Sequence, residues 1–355
     1  MKYSNLISLF LLLTTVSFGQ KKEEAENLVN KGISFHDKGD YEMAISKYDS
    51  ALLLDKDNLL ALAEKAFSLF SIQKYDESIV CCKRAIESHP KEKALATVYV
   101  TYGNDYDVLK NTKKSISIYD EGIKLFPDYY QLYFNKGITL SSIPKNEEAI
   151  SCLQKAVLLN PNHASSHNAI ARLSNATNQR IPAILAYGRF LSIEPKSNRA
   201  KENLSALQRL MMGNVQQTGE KSVTINVSPD ALNASTSKGK PKENSFSSLE
   251  LMLSIDAATD FDEKNKDKTD VEKFIRKLET LCSYLKESRA DNSGFYWSYY
   301  APYFIGLKDE GLIETFAYIS FASSEAKDVS NWLNSHKSEI DKFFTWSKSF
   351  QWQTN

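Results

Sequence analysis

The chain has 355 residues, 42% of them hydrophobic, and its 44 basic side chains are balanced by 44 acidic ones. With no net charge there is no field to gather nucleic acid or an anionic membrane surface, so neither is expected as a partner. The length has room for two or three structural units.

The first stretch, 1–20, has the layout of a cleavable secretory signal. Lys2 supplies the positive end, Leu6 to Val16 is mainly apolar, and Ser17 and Gly19 are the small residues a signal peptidase reads. The apolar run is shorter than the roughly 20 residues that span a bilayer. No cysteine follows it to carry a lipid. The layout predicts cleavage after Gly19 or Gln20, no membrane span afterwards, and a periplasmic or secreted product.

Residues 25–197 hold one pattern written five times, over 25–58, 59–92, 96–129, 130–163 and 164–197. Three extra residues, Lys93 to Leu95, precede the third copy. Position 8 of the copies holds Gly32, Ala66, Gly103, Gly137 and Ala171. Position 20 holds Ala44, Ser78, Ser115, Ala149 and Ala183. Position 24 is aromatic at Tyr48, Tyr119 and Tyr187, with Cys82 and Leu153 in the other copies. Position 27 is small at Ala51, Ala85, Gly122 and Ala156, and position 32 is proline at Pro90, Pro127, Pro161 and Pro195.

This spacing resembles the tetratricopeptide repeat family. The resemblance implies an all-α solenoid in which each copy is a pair of antiparallel helices. Small side chains at positions 8, 20 and 27 let backbones approach, and aromatics fill the space between. One copy cannot bury its apolar face alone, so neighbours share a core. Proline follows a helix because it cannot continue one. Phe190 breaks the rule at position 27, as suits a last copy whose next neighbour is a cap.

The resemblance also places a partner groove on the first helix of each copy. The residues it assigns there include Asn30, Ile33, Phe67, Phe70, Asn104, Phe134, Asn135, Asn168 and Arg172. A protein or peptide segment is expected across repeats 2 to 4. The aromatics would offer apolar pockets, and Asn104 and Asn135 would pair with a peptide backbone. Two specialised versions of the groove do not fit. Val100, Ser165 and Ala169 stand where a carboxylate clamp needs basic residues, and only Asn30 and Asn135 continue an asparagine ladder.

After the copies, 198–212 reads as a capping helix with a stripe of Ala200, Leu204, Leu207, Leu210 and Met211. Residues 213–248 are rich in Ser, Asn, Gly, Lys and Thr and read as a flexible linker. Val223, Ile225 and Val227 alternate there with polar residues, and an extended piece of linker is expected.

Residues 249–355 read as a small helical C-terminal domain, which resembles the tails that accompany such repeats in exported bacterial proteins. Four helices are predicted: Leu249 to Ala258, Asp270 to Ser288, Phe295 to Ser320 broken near Pro302, and Asp328 to Trp346. The run from Gly294 to Phe304 is dense in aromatics. Such density either fills a small core or lines a ligand site, and the core is the expectation.

No catalytic, cofactor or metal motif emerges. Cys81, Cys82, Cys152 and Cys282 form no metal or redox spacing and read as small buried apolar groups. His163 and His167 are four apart, but no third ligand accompanies them. Two functions remain. One is a non-catalytic protein–protein scaffold of the bacterial cell envelope. The other is an enzyme or glycan-binding protein with its site in the aromatic C-terminal domain and the repeats as a docking arm.

Overall fold

A computed structural model describes residues 20–219, 222–226 and 243–353. The expected signal over 1–20 therefore lies, but for its last residue, outside the described residues. The chain divides into two compact units, one up to Cys152 and one from Leu153 on. Each is described by itself. Among the described residues no helix is long and apolar enough to cross a membrane.

The first unit alternates short antiparallel helices: α1 (20–36), α2 (Tyr41–Leu54), α3 (Leu59–Ser71), α4 (Tyr75–Ser88), α5 (Leu95–Val108), α6 (Thr112–Leu125) and α7 (Tyr130–Ser141). They pair as the repeat register requires. Ala44, Ala149 and Ala183 are each 0% exposed, which is where close helix approach was expected. Gly32 and Gly103 explain the pairing physically. A methyl group on either would fall inside the ring of Tyr48 or Tyr119 from the facing helix. The core gathers Tyr48 and Ala51 with Ala61, and then Leu62, Cys82, Tyr99, Tyr119 and Leu132.

Position 15, the turn within each repeat, takes a left-handed backbone at Gly39, Gln73, Lys110 and Asn178. The helix that follows is capped by a side chain at Asp40 and Asn111. A polar group there satisfies an N–H that has no partner within the helix.

The second unit begins inside α8 (Asn146–Leu159) and holds α9 (Ala164–Ala176), α10 (Arg180–Ile193) and α11 (Ala200–Met212). A two-stranded antiparallel hairpin follows, β1 (Val215–Gly219) with β2 (Ser222–Ile225). Val215 faces Ile225 and Gln217 faces Val223. The linker reading is corrected at this point: part of 213–248 is built structure that packs on the next helix. Val227 lies outside the described residues. Then come α12 (Ser247–Ala258), α13 (Asp270–Ser288), a π turn at Tyr296–Tyr300 running into α14 (Ala301–Asp309), α15 (Ile313–Ser320), α16 (Lys327–Ser335) and α17 (Lys337–Ser349).

Two predicted helix limits move. The break expected near Pro302 falls instead at 310–312, where Gly311 takes a left-handed backbone. Pro302 directly follows the π turn inside one continuous helix, so its missing N–H falls where the regular bonding pattern is already shifted. The last predicted helix is two, separated at His336.

The repeats and the C-terminal helices do not part at the linker. Every residue from Ile181 to Ser192 in α10 is buried. Its neighbours include α9, α11, α12, the π turn and α15. Gly188 lets Phe304 and Phe316 reach its backbone. The stripe of α11 is buried as expected at Ala200, Leu204, Leu207 and Met211, but α12 and α13 cover the helix further.

Candidate functional site

In the first unit, Phe67 on α3 remains 48% exposed. Its ring stacks on His36 of α1, with centroids 4.7 Å apart. His36 is held in turn by a 2.7 Å hydrogen bond between Nδ1 and Ser68 Oγ, and by the edge of Tyr41. Burial lowers the His36 pKa, and only then does Asp37 raise it. The platform is therefore a neutral, flat aromatic pair with one open side. Glu64 on the same helix is half-buried, and burial, followed by the charge of Asp37, raises its carboxyl. Exposed apolar groups recur on the first helices of repeats 2 to 4 at Leu60, Phe67, Val108 and Ile138.

The other assigned groove residues separate. Asn30 is exposed, and Ile33 packs against the core of the first repeats. Phe70 is half-buried, edge-on to Tyr75. Asn104 accepts a 2.6 Å bond from the hydroxyl of Tyr119, so its carbonyl is already engaged. Asn135 donates to the Gln131 carbonyl of its own helix at 2.8 Å, and Phe134 is half-buried. Asn168 and Arg172 belong to the second unit. Arg172 is exposed. Asn168 is 7% exposed, which takes it out of a partner's reach, and its Oδ1 has no hydrogen-bond partner among the described residues.

Sequence reasoning passed over Asp105. It is 0% exposed in α5. It stands at the repeat position where Ser34, Ser68 and Thr139 carry small hydroxyls, and that mismatch was the available signal. Ser78 Oγ lies 3.0 Å from the Ala66 carbonyl and 2.8 Å from Asp105 Oδ2. One hydroxyl has one proton, and the carbonyl can only accept it. Ser78 is the donor to both oxygens, so its one proton is shared between the carbonyl and the Asp105 carboxyl. Burial raises Asp105 to about 7, and the hydrogen bond from Ser78 offsets that only in part.

The aromatic run of the second unit is core. Tyr296, Trp297, Tyr299, Tyr300, Tyr303 and Phe304 are all buried. Their polar ends are tied inward. Tyr299 donates to the Val157 carbonyl at 2.9 Å, and Trp297 donates to the Ser245 carbonyl at 3.2 Å. His167 Nε2 donates to the Pro161 carbonyl at 3.0 Å, so Nδ1 accepts from Tyr300 at 2.7 Å. Burial, and then the charge of Arg189, lowers His167 to about 3. His163 bonds to Ser166 Oγ at 2.8 Å. Arg189, 1% exposed, has no carboxylate partner among the described residues. Hydroxyls of Ser347, Tyr303 and Ser192, the Asn162 amide and the Pro161 carbonyl receive its protons. The rings of Tyr303 and Trp352 cover its faces.

The four cysteines are free thiols; Cys81, Cys82 and Cys282 are buried and Cys152 is half-buried. Burial raises each of them. They behave as apolar filling rather than as nucleophiles.

Comparison with known proteins agrees with the geometry. A family model described as "Tetratricopeptide repeat" matches residues 25–58 and 130–163. A protein STIP1 homolog of Dictyostelium discoideum is 29% identical over 171 residues, covering 40% of this chain and 30% of its own. A small glutamine-rich tetratricopeptide repeat-containing protein of the same organism is 27% identical, covering 31% of this chain and 32% of its own. The chain thus spans less than a third of the length of either relative. Among solved structures, pilF of Pseudomonas aeruginosa is similar with a TM-score of 0.48 at 21% identity, over 54% of this chain and 84% of that one. With its helices paired in the repeat register and its small residues at the helix contacts, the chain carries tetratricopeptide repeats, a kind of repeat that generally serves in scaffolds for protein partners.

Proposed function

We propose that the protein is a non-catalytic scaffold of the bacterial cell envelope. On this reading it holds a segment of a partner protein against the first helices of repeats 2 to 4. One observation carries the reading: Phe67 is a large apolar ring left half in water and stacked on His36, which Ser68 anchors. Exposed aromatics on an ordered support are the usual anchors of protein interfaces. The amide protons of Asn104 and the carbonyl of Asn135 hold no hydrogen bond among the described residues, and they supply polar contacts on the same helix series. The signal-like segment at 1–20 supports export. The sequence supports the non-catalytic reading, since it holds no acid–base, nucleophile or phosphate-binding constellation.

The test is a photo-crosslinking residue placed at Leu60 in the full chain, with Phe67→Ala as the competitor variant. Partner crosslinks should fall in Phe67→Ala while the melting temperature stays within about 2 °C, since an exposed ring contributes little to folding. Unchanged crosslinking in a folded variant would remove the face from consideration. Cell fractionation with terminal sequencing tests export: the mature chain should begin at Gln20 or Lys21.

A further inference from the structure

Two clefts open in the second unit, with volumes of about 970 and about 390 Å³, and both are lined by Ser205, Gln208 and Asp270. Both lie along α11. Lys201, Ser205, Gln208, Arg209 and Met212 follow each other there at helical spacing. Thirteen helical residues extend about 20 Å, the reach of roughly six residues of extended chain.

The larger cleft is divided by charge. Arg209 stands on α11, while Glu250 on α12 and Asp270 at the start of α13 also line it. None of these three side chains makes an ion pair or hydrogen bond among the described residues. Arg180, at the same cleft, is differently placed. It donates to the carbonyls of Leu210 at 2.7 Å and Glu250 at 3.2 Å and to Ser254 Oγ at 2.8 Å, so it is held by the fold. Burial raises the Glu250 carboxyl and the charge of Arg180 lowers it in part. Exposed Arg209 and Asp270 and half-buried Glu250 thus line one cleft, with the fold-bound Arg180 beside Glu250. Asn175, Asn178, Gln208 and Asn214 line the same cleft.

We infer that this cleft binds a short peptide with free ends. Arg209 takes its carboxylate, and Glu250 and Asp270 take its ammonium group. The amides pair with the peptide's main chain, since each offers both a donor and an acceptor. The volume suits a ligand of that size. A purely anionic or cationic ligand would leave one wall unsatisfied. A saccharide fits less well, because no aromatic ring lines the larger cleft to meet a sugar face. A single amino acid would leave the amides unused. This site is separate from the Phe67 face and does not depend on it.

The test uses the full chain, titrated by calorimetry with triglycine, N-acetyl-triglycine, triglycine amide and maltotriose. Triglycine should bind saturably, and blocking either end should weaken it at least about tenfold. Arg209→Gln should lower the affinity for triglycine by a similar factor and leave triglycine amide unchanged. Glu250→Gln with Asp270→Asn should lower triglycine and leave the acetylated peptide unchanged. Circular dichroism confirms that each variant is folded, and the end-blocked peptides test the same claim on the unaltered protein. Equal binding of the free and blocked peptides overturns the inference. So does a lack of saturation by triglycine in the millimolar range, or saturable binding of maltotriose alone.

Discussion

At the scale of single residues, two buried titratable groups give the protein opposite responses to pH. Asp105 keeps its proton in the folded chain up to about pH 7, while an exposed carboxyl loses it near pH 4. In that window the native state binds more protons, so stability falls as pH rises. His167 works in the other direction. It stays neutral in the folded chain down to about pH 3, while an unfolded histidine takes up a proton near pH 6.5. Its contribution is present above pH 6.5 and is lost as pH falls below that value. Asp105→Asn retains the acceptor for Ser78 without the ionisation. The variant should be more stable than the parent at pH 8, by at most about 4 kcal/mol, and nearly equal to it at pH 4. Urea melts at both pH values check this, and an equal gain at both would show that Asp105 is ionised throughout. Neither group was legible as titrating from the sequence. Asp105 differed visibly from the hydroxyls at its repeat position, but its burial depends on how α4 and α5 pack.

At the scale of elements, the repeat helices were legible almost to the residue, because each device recurs at a fixed offset. Gly103 against Tyr119 repeats Gly32 against Tyr48. Gly103→Ala should therefore lower stability by about 1–3 kcal/mol through overpacking, read from a denaturant midpoint. A neutral result would mean that the Tyr119 ring moves aside freely. The turn at position 15 makes a prediction of opposite sign. Lys110 sits at φ 61°, a left-handed conformation that disfavours a side chain. Lys110→Gly should stabilise the chain by about 1 kcal/mol, as the equivalent Gly39 already does in the first repeat. Helix limits in the C-terminal region were less legible, because no repeat sets a register there. Asp270 to Ser288 was readable from its single apolar face, and Thr269 and Glu272 cap it reciprocally. The stretch from Phe295 to Ser320 was not, since a π turn and a left-handed glycine place the break away from the proline.

At the scale of the whole molecule, the fifth repeat, the capping helix and the C-terminal helices share one compact unit. Part of this was written in the sequence. Helix α10 has no polar face from Ile181 to Ile193, where Arg189 is the one charged side chain, and such a helix must be covered on all sides. Phe190, read from the sequence as the mark of a last repeat, is 0% exposed within that cover. Arg189 was not legible, because its partners Tyr303 and Ser347 lie 114 and 158 residues further along the chain. These contacts predict the outcome of cutting the chain after Met212, where the sequence suggested that the repeats end. The cut removes Phe304 and Phe316 from Gly188, and Tyr303, Ser347 and Trp352 from the Arg189 guanidinium. A guanidinium built for burial then stands among broken partners, and the apolar residues of α10 meet water. Amide protons of α10 should exchange at least about a hundredfold faster in the fragment than in the full chain, a modest loss on the scale of such contacts. Native-state hydrogen exchange on both proteins measures it. Equal protection of α10 would show that the fifth repeat is complete without the C-terminal helices and that the chain divides at the linker after all.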